Sequence, residues 1–270
     1  MTDPDRKRDA FQRLHHSGCF VIPNPWDVGS ARYLARLGFK ALATTSSGFA
    51  WSRGQADNGV SVDDALHHFE DIARSVEIPV NGDFEGGFAV DPGRVGANVR
   101  RAVATGIAGV SIEDSTGDAA RPLFEFELAV ERVRAAHAGV AGTGVLLTAR
   151  SEGFIVGRPD LDETLRRLRA YAEAGADCLY APGIKTPGEI AAVVRAVAPR
   201  PVNVLVGGDH TTVAELEKLG VRRISVGGAL ARAAWRGFMN AAGEIAREGT
   251  FHGLAAAVPF ADVNGLFERA

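Results

Sequence analysis

Acidic side chains follow two successive apolar runs of the sequence, at the points where each run would end as a strand. Asp83 and Glu85 follow the run that begins at Pro79, and Glu113 closes the run Gly109–Glu113. Residues two apart on a strand point to the same face, so Asp83 and Glu85 can aim at one point that Glu113 reaches from the next strand. Three hard oxygen donors without Cys or His suit Mg²⁺ or Mn²⁺ better than zinc. The alternative is that each carboxylate merely caps a helix, but their recurrence in successive units favours the metal.

An arginine ends a further apolar run. Arg150 closes Val145–Arg150 and is followed by Glu152. A buried arginine needs a partner, which can be Glu85, Glu113 or Glu152, or a substrate carboxylate held by two parallel hydrogen bonds. The strand-end position favours the substrate role.

Other polar segments have weaker signals. Ser46-Ser47-Gly48-Phe49 reads as a turn in which glycine lets backbone N–H groups approach an anion. Asp57 lies in an Asp-Asn-Gly run, which is ordinarily just a turn. His210, beside Asp209, can be a general base or a neighbour of a helix cap. Four histidines and two aromatic residues fall on predicted helices, where we expect solvated histidines and packed aromatics: His15, His16, His67, His68, Trp235 and Phe238.

Composition indicates a globular protein. The chain has 270 residues, 46% of them apolar, and a net charge of −3 without a basic stripe, which argues against a nucleic-acid partner. The charged N-terminus leads into no apolar segment of signal-peptide length, and no window reaches the roughly 18–20 apolar residues that span a bilayer. Cys19 and Cys178 lie in apolar runs and are expected to be reduced core residues. We therefore expect a soluble cytoplasmic protein without a membrane partner.

Short apolar runs recur along the whole chain and alternate with amphipathic stretches. The predicted strands are Cys19–Ile22, Ala41–Thr45, Pro79–Asp83, Gly109–Glu113, Val145–Arg150, Cys178–Ala181, Val202–Val206 and Arg223–Val226. Eight strand–helix units of this kind predict a single (β/α)₈ barrel of the TIM type over residues 1–270, with an N-terminal helix in 1–17, the barrel in 18–228 and C-terminal helices in 229–270. A doubly wound open sheet is the alternative, but no Gly-x-Gly-x-x-Gly turn follows the first strand.

The barrel gives the polar residues a common location. Polar residues at the C-terminal ends of barrel strands line the active-site mouth. By that rule the mouth receives Asn24, Trp26, Asp27, Ser46, Ser47, Gly48, Asp83, Glu85, Glu113, Asp114, Arg150, Glu152, Asp209 and His210. One cation, several carboxylates and a small-residue turn suit a small anionic substrate chelated to a divalent metal.

Six motifs, in order along the chain, resemble those of the isocitrate lyase / phosphoenolpyruvate mutase superfamily. They are Asn24–Ala31, Thr45–Gly48, Asp83–Phe88, Ser111–Ser115, Ala149–Glu152 and Gly220–Ser225. The resemblance implies an α/β barrel, a homo-oligomer (tetramer or dimer) with the eighth helix exchanged between subunits, and Mg²⁺ or Mn²⁺ as cofactor. It also implies a 2-oxo or 2-hydroxy carboxylate substrate, with a C–C or P–C bond made or broken through an enolate.

The resemblance also implies roles for individual residues. Asp83 is similar to the direct metal ligand, and Glu85 and Glu113 to ligands that act through metal-bound water. Two further residues, Asp57 and Arg150, resemble a catalytic loop aspartate and the arginine that grips the substrate. Ser47, Gly48 and Phe49 resemble the turn that holds the substrate carboxylate.

One departure from the superfamily bears on the reaction. Isocitrate and methylisocitrate lyases carry a Lys-Lys/Arg-Cys-Gly-His lid whose cysteine moves the proton, whereas the corresponding segment here, Ser115–Leu123, has no Cys, His or Lys. We therefore expect a Mg²⁺-dependent lyase that cleaves a C–C bond of an oxaloacetate-like 2-oxo dicarboxylate through a metal-stabilised enolate. The alternatives are a phosphonopyruvate hydrolase or phosphonomutase, and a non-catalytic 2-oxo acid binder.

Overall fold

The computed structural model describes residues 2–268 and contains eight strands, all parallel to their neighbours in one sheet. In chain order these are β1 (Phe20–Ile22), β2 (Leu42–Ala43), β3 (Val80–Asp83), β4 (Gly109–Glu113), β5 (Leu146–Arg150), β6 (Cys178–Tyr180), β7 (Val202–Leu205) and β8 (Arg223–Ser225). Every predicted strand is present. The predicted bounds of β4 are exact, and the other predicted runs are one to three residues longer than the observed strands because residues at their ends do not join the ladder.

The strands close into a barrel. Their order is β1-β8-β7-β6-β5-β4-β3-β2, and the backbone N–H of Ala43 donates to the carbonyl of Pro23 at 3.1 Å, which joins β2 to the chain after β1. The predicted (β/α)₈ barrel is thus confirmed, and the open-sheet alternative is wrong because both edges of the sheet meet.

Helices alternate with the strands. They are α1 (Asp3–His16), α2 (Val28–Arg36), α3 (Ser46–Ser52), α4 (Val62–Ser75), α5 (Pro92–Ala104), α6 (Phe126–Val140), α7 (Leu161–Glu173), α8 (Pro187–Val197), α9 (Val213–Lys218), α10 (Ala229–Glu248) and α11 (Phe260–Gly265), with a 3₁₀ turn at His252–Leu254. Most begin at a Ser, Thr or Asp whose side chain accepts a hydrogen bond from the first turn, as Asp27 does from Ser30 N. Asp27 therefore serves α2 as its cap.

The two faces of a barrel strand differ in chemistry. On β4, Val110 and Ile112 are buried within the apolar layer between sheet and helices, whereas Ser111 and Glu113 face a cavity inside the barrel. At the opposite end of the barrel, Phe11 of α1 is fully buried. A Cβ at Gly109 would lie 2.6 Å from the Phe11 ring, so the packing of α1 against β4 requires glycine there. The polar strand positions thus converge at one end of the molecule.

Helix α10 departs from the expectation for its aromatic residues. Trp235 is 39% exposed and Phe238 is 62% exposed, so the prediction that they pack within the chain is wrong. In the described part of α10, Ala231 alone is buried. No helix among residues 2–268 combines the length and the apolar composition needed to cross a bilayer.

Candidate active site

A cavity of about 280 Å³ occupies the inside of the barrel and opens at the C-terminal ends of the strands. It is lined by charged residues, Asp57, Asp83, Glu113, Arg150, Glu152 and Arg223, and by smaller polar ones that include Ser46, Ser47, Ser115 and Asn203. Four of the charged residues that the strand-end rule predicts at the mouth line this cavity, namely Asp83, Glu113, Arg150 and Glu152, whereas Asp27, Glu85 and Asp114 do not. Asp209 and His210 are exposed and do not line the cavity.

Arg150 lies at the centre of the charged group. Its Nη1 is 2.8 Å from Asp83 Oδ1, its Nη2 is 3.2 Å from Glu113 Oε2 and its Nε is 2.8 Å from Glu152 Oε1. The sequence predicts Glu85, Glu113 or Glu152 as possible partners, and among the described residues Asp83 takes the place of Glu85. The side chain of Arg150 is 14% exposed, so these ion pairs are largely withdrawn from solvent.

The register of the sheet produces this arrangement. Glu113 of β4 lies beside Arg150 of β5, and Asp83 of β3 lies beside Ser111 of β4. Since residues with the same orientation repeat every second position, the side chains of Asp83, Glu113 and Arg150 emerge next to one another inside the barrel.

Negative charge exceeds positive charge in this cluster. Burial raises the pKa of Glu113 well above its ordinary value; Arg150 opposes the shift, while the charges of Glu152, Asp83 and Glu85 add to it. Burial likewise raises the pKa of Glu152. Burial disfavours the charged guanidinium of Arg150, but the surrounding carboxylates outweigh it and hold its pKa well above the ordinary value. Arg150 is therefore a permanent cation among carboxyl groups that share one counter-charge.

Ser46 holds the second oxygen of Asp83. The backbone N–H and the hydroxyl of Ser46 both donate to Asp83 Oδ2 at 3.0 Å. Residues 46–49 belong to the first turn of α3, capped by Thr45, whose hydroxyl accepts from Gly48 N. The predicted anion-binding turn is thus a helix start in which three N–H groups, those of Ser46, Gly48 and Phe49, already have partners. Ser47 lines the cavity, whereas Gly48 and Phe49 do not.

The half-buried Phe49 and the buried His68 form a stacked pair behind the site. Their rings stack at 3.9 Å between centroids, with 11° between planes. His68 is 6% exposed, and burial lowers its pKa to about 4. The expectation that His68 is solvated is therefore wrong, and so is that for His15, which is buried at 8% exposure. In both cases the histidine lies on the inner face of its helix.

Glu85 and Asp57 lie near the carboxylate of Asp83. Glu85 lines a small chamber together with His68 and Phe49, and burial raises its pKa to about 7, helped by the charges of Asp83 and Asp57. Asp57 lies in an exposed loop at the rim of the cavity. Partial desolvation, followed by the charge of Asp83, raises the pKa of Asp57. Both predicted residues are thus near Asp83.

The carboxylates can be tested for their fit to a divalent cation. Among residues 2–268, no three Asp, Glu, His or Cys side chains stand close enough together to hold one ion directly, because Arg150 contacts both Asp83 and Glu113. The donors are nevertheless hard oxygens whose charges raise one another's pKa. A divalent cation would offset that repulsion, and Mg²⁺ commonly keeps several of its waters while binding one or two carboxylates. The set fits Mg²⁺ bound in that manner.

A second layer of residues fixes Glu152. The buried carboxylate of Asp114 accepts from Glu152 N at 2.8 Å, from Arg167 Nη1 at 3.1 Å and from the hydroxyl of Tyr171 at 2.6 Å. Asp114 is thus a supporting residue rather than a lining one. Asn24 does line the cavity, and its Oδ1 also accepts from the backbone N–H groups of Val226 and Gly227.

The sequence reasoning missed the polar floor of the cavity. Its lining includes Asn81, Ser111, Tyr180, Asn203, Arg223 and Ser225. Arg223 donates from Nε to Asn203 Oδ1 at 2.8 Å and from Nη2 to Thr148 Oγ1 at 2.9 Å. Several of these residues lie two positions from another lining residue, as Ser111 does from Glu113, so the two-residue period was the signal that could have found them.

The cysteines and the lid segment agree with the sequence. Cys19 and Cys178 are free thiols, and Cys178 is fully buried in β6. Neither lines the cavity. The segment Ser115–Leu123 forms a short loop closed by a bridge between its end residues, and Ser115 lines the cavity. The lid position therefore offers no thiol to the cavity.

Known proteins resemble this chain in both sequence and fold. The family profile described as phosphoenolpyruvate phosphomutase matches residues 11–246. The chain belongs to this family. It is thereby a member of the isocitrate lyase / phosphoenolpyruvate mutase superfamily, whose lyases and mutases share its barrel.

Three similar proteins differ in how much of their sequence is identical to this chain. The crystal structure of a Burkholderia cenocepacia protein provisionally assigned as a lyase/mutase is 49% identical, covers 98% of both chains and has a TM-score of 0.95. An uncharacterised protein of Mycobacterium tuberculosis is 34% identical over 81% of each chain. The oxaloacetate decarboxylase of Bradyrhizobium diazoefficiens is 27% identical over 73% of this chain and 69% of its own.

Proposed function

We propose that this protein is a Mg²⁺-dependent lyase that cleaves a C–C bond of a small 2-oxo dicarboxylate of the oxaloacetate type. The observation that carries the proposal is the Asp83–Arg150–Glu113 cluster inside a small polar cavity. Support also comes from relatives named oxaloacetate decarboxylase and from the fold shared with an oxaloacetate acetylhydrolase crystallised with oxalate, at 25% identity and a TM-score of 0.84.

The chain's own residues supply binding and orientation. Arg150 donates hydrogen bonds to two carboxylates, from Nη1 to Asp83 and from Nε to Glu152, and its Nη2 forms an ion pair with Glu113 at 3.2 Å. N–H groups on both terminal nitrogens therefore remain for a substrate carboxylate. Asp83 and Glu113, with Glu85 beside them, would hold the metal, largely through water. When bound, Mg²⁺ would supply a Lewis acid for the 2-oxo carboxylate group. Asp57, at the rim, is placed to contact the end of the substrate that faces solvent.

The reaction needs little from the lid. Decarboxylation breaks the bond between C3 and C4 of oxaloacetate, CO₂ departs, and the electron pair of the broken bond remains as the enolate of pyruvate. That enolate then takes a proton from solvent at C3. Because water can provide this proton, the reaction suits a lid segment, Ser115–Leu123, that has no thiol. A lyase that requires a lid cysteine does not suit it.

A substrate panel tests the proposal. Pyruvate release is measured from oxaloacetate, phosphonopyruvate, 2-methylisocitrate and 2,3-dimethylmalate, with Mg²⁺ and with a chelator. We expect fastest release from oxaloacetate, with Mg²⁺ only. Asp83→Asn should abolish it, whereas the control Asp63→Asn, which changes an exposed carboxylate paired with Arg101, should not. Activity that survives both chelator and Asp83→Asn would contradict the metal site.

A P–C bond reaction is the second candidate, because the matching family is itself named for a phosphomutase. The same panel separates the two. Faster release from phosphonopyruvate, with inorganic phosphate as second product, would identify a hydrolase, and isomerisation to phosphoenolpyruvate would identify a mutase. Tight 2-oxo acid binding without any product would instead identify a binder.

We further propose that the protein is a homo-oligomer in which α10 packs on a second copy. Five large apolar side chains of α10 are at least one-third exposed: Leu230, Trp235, Phe238, Met239 and Ile245. A contiguous apolar surface of this kind usually marks a protein interface. Since α10 follows β8 directly and still leaves this face open, exchange of the eighth helix between subunits would cover it.

A further inference from the structure

Arg132 is a buried cation that the proposed reaction does not use. It lies on α6 and is 1% exposed. No ion pair to a carboxylate is found for it among the described residues. Its guanidinium donates instead to three backbone carbonyls, those of Gly86, Ala89 and Val90, the last from Nη1 at 2.9 Å. A buried arginine is costly unless its donors are matched; here the two terminal nitrogens are matched, while the buried Nε has no hydrogen-bond partner among the described residues.

The three carbonyls belong to the loop that carries Glu85. This loop departs from ordinary backbone geometry, because Glu85 has φ 47° and Phe88 has φ 56°, a region that residues other than glycine seldom occupy. Such a conformation persists where surrounding contacts enforce it. The contacts here include Arg132, a hydrogen bond of 3.0 Å from Glu113 N to Glu85 O and one of 2.9 Å from Asn98 Nδ2 to Gly87 O.

Arg132 also contacts the end of the lid segment. The centre of its guanidinium lies 3.8 Å from the centroid of the Phe124 ring, a cation–π contact. Phe124 in turn donates its N–H to the carbonyl of Asp114 at 2.9 Å. Gly86 of the carboxylate loop lies between Arg132 and the lid segment. A Cβ there would be 3.1 Å from Arg132 Nη2 and 3.4 Å from the carbonyl oxygen of Ser115. One side chain therefore contacts both the carboxylate loop and the base of the lid.

We propose that Arg132 is a positioning residue that couples the lid segment Ser115–Leu123, through the adjoining Phe124, to the carboxylate loop 83–90. The position of the lid segment and the position of Glu85 are then set together. This inference rests on the proposed function, in which Glu85 helps to hold the metal; the lid segment takes part in the same cavity through Ser115, which lines it. Burial lowers the pKa of Arg132 to about 10, so it remains a cation at neutral pH.

The chemistry of the contact favours arginine over other cations. A planar guanidinium presents donors at fixed angles to several carbonyls and stacks on an aromatic ring at the same time. A lysine could satisfy part of this set with a single ammonium group, and a methionine could fill the space without donating. The two substitutions therefore separate hydrogen bonding from volume.

The experiment compares Arg132→Met, Arg132→Lys and Phe124→Leu with the matched control Arg134→Met, which removes an exposed arginine of the same helix that pairs with Glu131. Hydrogen exchange is measured by peptide across residues 84–90 and 115–124. Arg132→Met should accelerate exchange in both segments at least tenfold, Arg132→Lys should restore part of the protection, and the control should change neither. Acceleration in one segment alone, or in neither, would overturn the coupling.

Two further readouts distinguish positioning from a general contribution to stability. The dissociation constant of Mn²⁺, measured by the electron paramagnetic resonance of the free ion, should rise at least tenfold in Arg132→Met and stay within twofold in the control. Phe124→Leu, which removes the aromatic contact on the lid side, should raise KM and should also raise the dissociation constant of Mn²⁺, by less than Arg132→Met does; an unchanged Mn²⁺ affinity would count against the coupling. If Arg132→Met does not fold, Arg132→Lys and Phe124→Leu decide the question.

The outcomes also separate this inference from the proposed function. A wild-type protein that binds no Mn²⁺ and converts no 2-oxo acid would refute the function, whereas the exchange data would still report on the coupling. A wild-type protein that binds Mn²⁺, with an Arg132→Met variant that is folded, exchanges normally and binds Mn²⁺ equally well, would refute the coupling alone.

Discussion

Arg150 shows how a single residue can set the electrostatics of the whole cavity. Three carboxylates contact it from β3, β4 and the chain after β5. Removing the guanidinium would leave Asp83, Glu113 and Glu152 as buried like charges, which is far more costly than losing an exposed ion pair. Replacement by a neutral residue would therefore confuse a catalytic effect with a folding defect, and a charge-conserving substitution is the informative one.

Arg150→Lys should keep the charge but lose the planar fork. The ammonium group cannot face all three carboxylates and a substrate carboxylate at once, so at least one charge-assisted hydrogen bond is lost. With a loss of about 2–3 kcal/mol, kcat/KM should fall roughly 30- to 160-fold. Steady-state kinetics on the best substrate of the panel, with circular dichroism as the folding control, measures this. Unchanged kinetics would remove Arg150 from substrate binding.

The residues at the strand ends could be predicted because the barrel fixes where strands finish. Asp83, Glu113 and Glu152 were found in this way, and all three line the cavity. Ser46 was listed as a mouth residue, but its two hydrogen bonds to Asp83 could not be foreseen, since they depend on where α3 starts. Arg223 was missed because β8 was interpreted as a buried apolar run, whereas its inner face is polar.

At the scale of elements, the site depends on how α3 and α4 pack behind β3. Helix α3, seven residues long, was interpreted as a turn because so short a segment has no helical period to detect. Its Phe49 stacks on His68 of α4, and both line the chamber that contains Glu85. The start of α3 also provides the two donors to Asp83. The packing of α4 thus supports the carboxylate side of the cavity.

The buried His68 should make stability depend on pH. Burial lowers its pKa to about 4 in the folded protein, with the charge of Asp27 opposing the shift, whereas the unfolded chain has a pKa near 6.5. The unfolded state therefore binds the extra proton first as pH falls. The contribution to stability is complete above pH ~6.5 and is lost progressively toward pH ~4.

Urea unfolding of wild type and His68→Phe at pH 7.5 and pH 5 measures this effect. His15 titrates in the same direction and is present in both proteins, so the difference between them isolates His68. From pH 7.5 to pH 5, the free energy of unfolding should fall by about 1–2 kcal/mol less in His68→Phe than in wild type. An equal fall in both proteins would mean that His68 is not buried as a neutral ring.

At the scale of the whole molecule, the barrel divides its two ends between different tasks. The end covered by α1 is closed by apolar packing around Phe11. The other end holds the charged cavity. Fold and site could therefore be predicted with different success. The alternation of strands and helices follows from the order of apolar and amphipathic stretches in the sequence, whereas the partners of Arg150 depend on the register between strands. The surface left open by α10 would be covered only by contacts beyond one chain, as the proposed homo-oligomer requires.

The exposed face of α10 gives a prediction for assembly. If a second copy covers this face, light scattering after size-exclusion chromatography should give the mass of a dimer or tetramer rather than one chain of 28.5 kDa. The double variant Phe238→Glu, Met239→Glu places charges at two side chains that are more than 60% exposed, and it should dissociate the assembly because buried unpaired charges are costly. The control Val90→Glu, at a residue equally exposed outside α10, should leave the mass unchanged. A monomeric wild-type protein, or a double variant with the wild-type mass, would show that α10 does not form the interface.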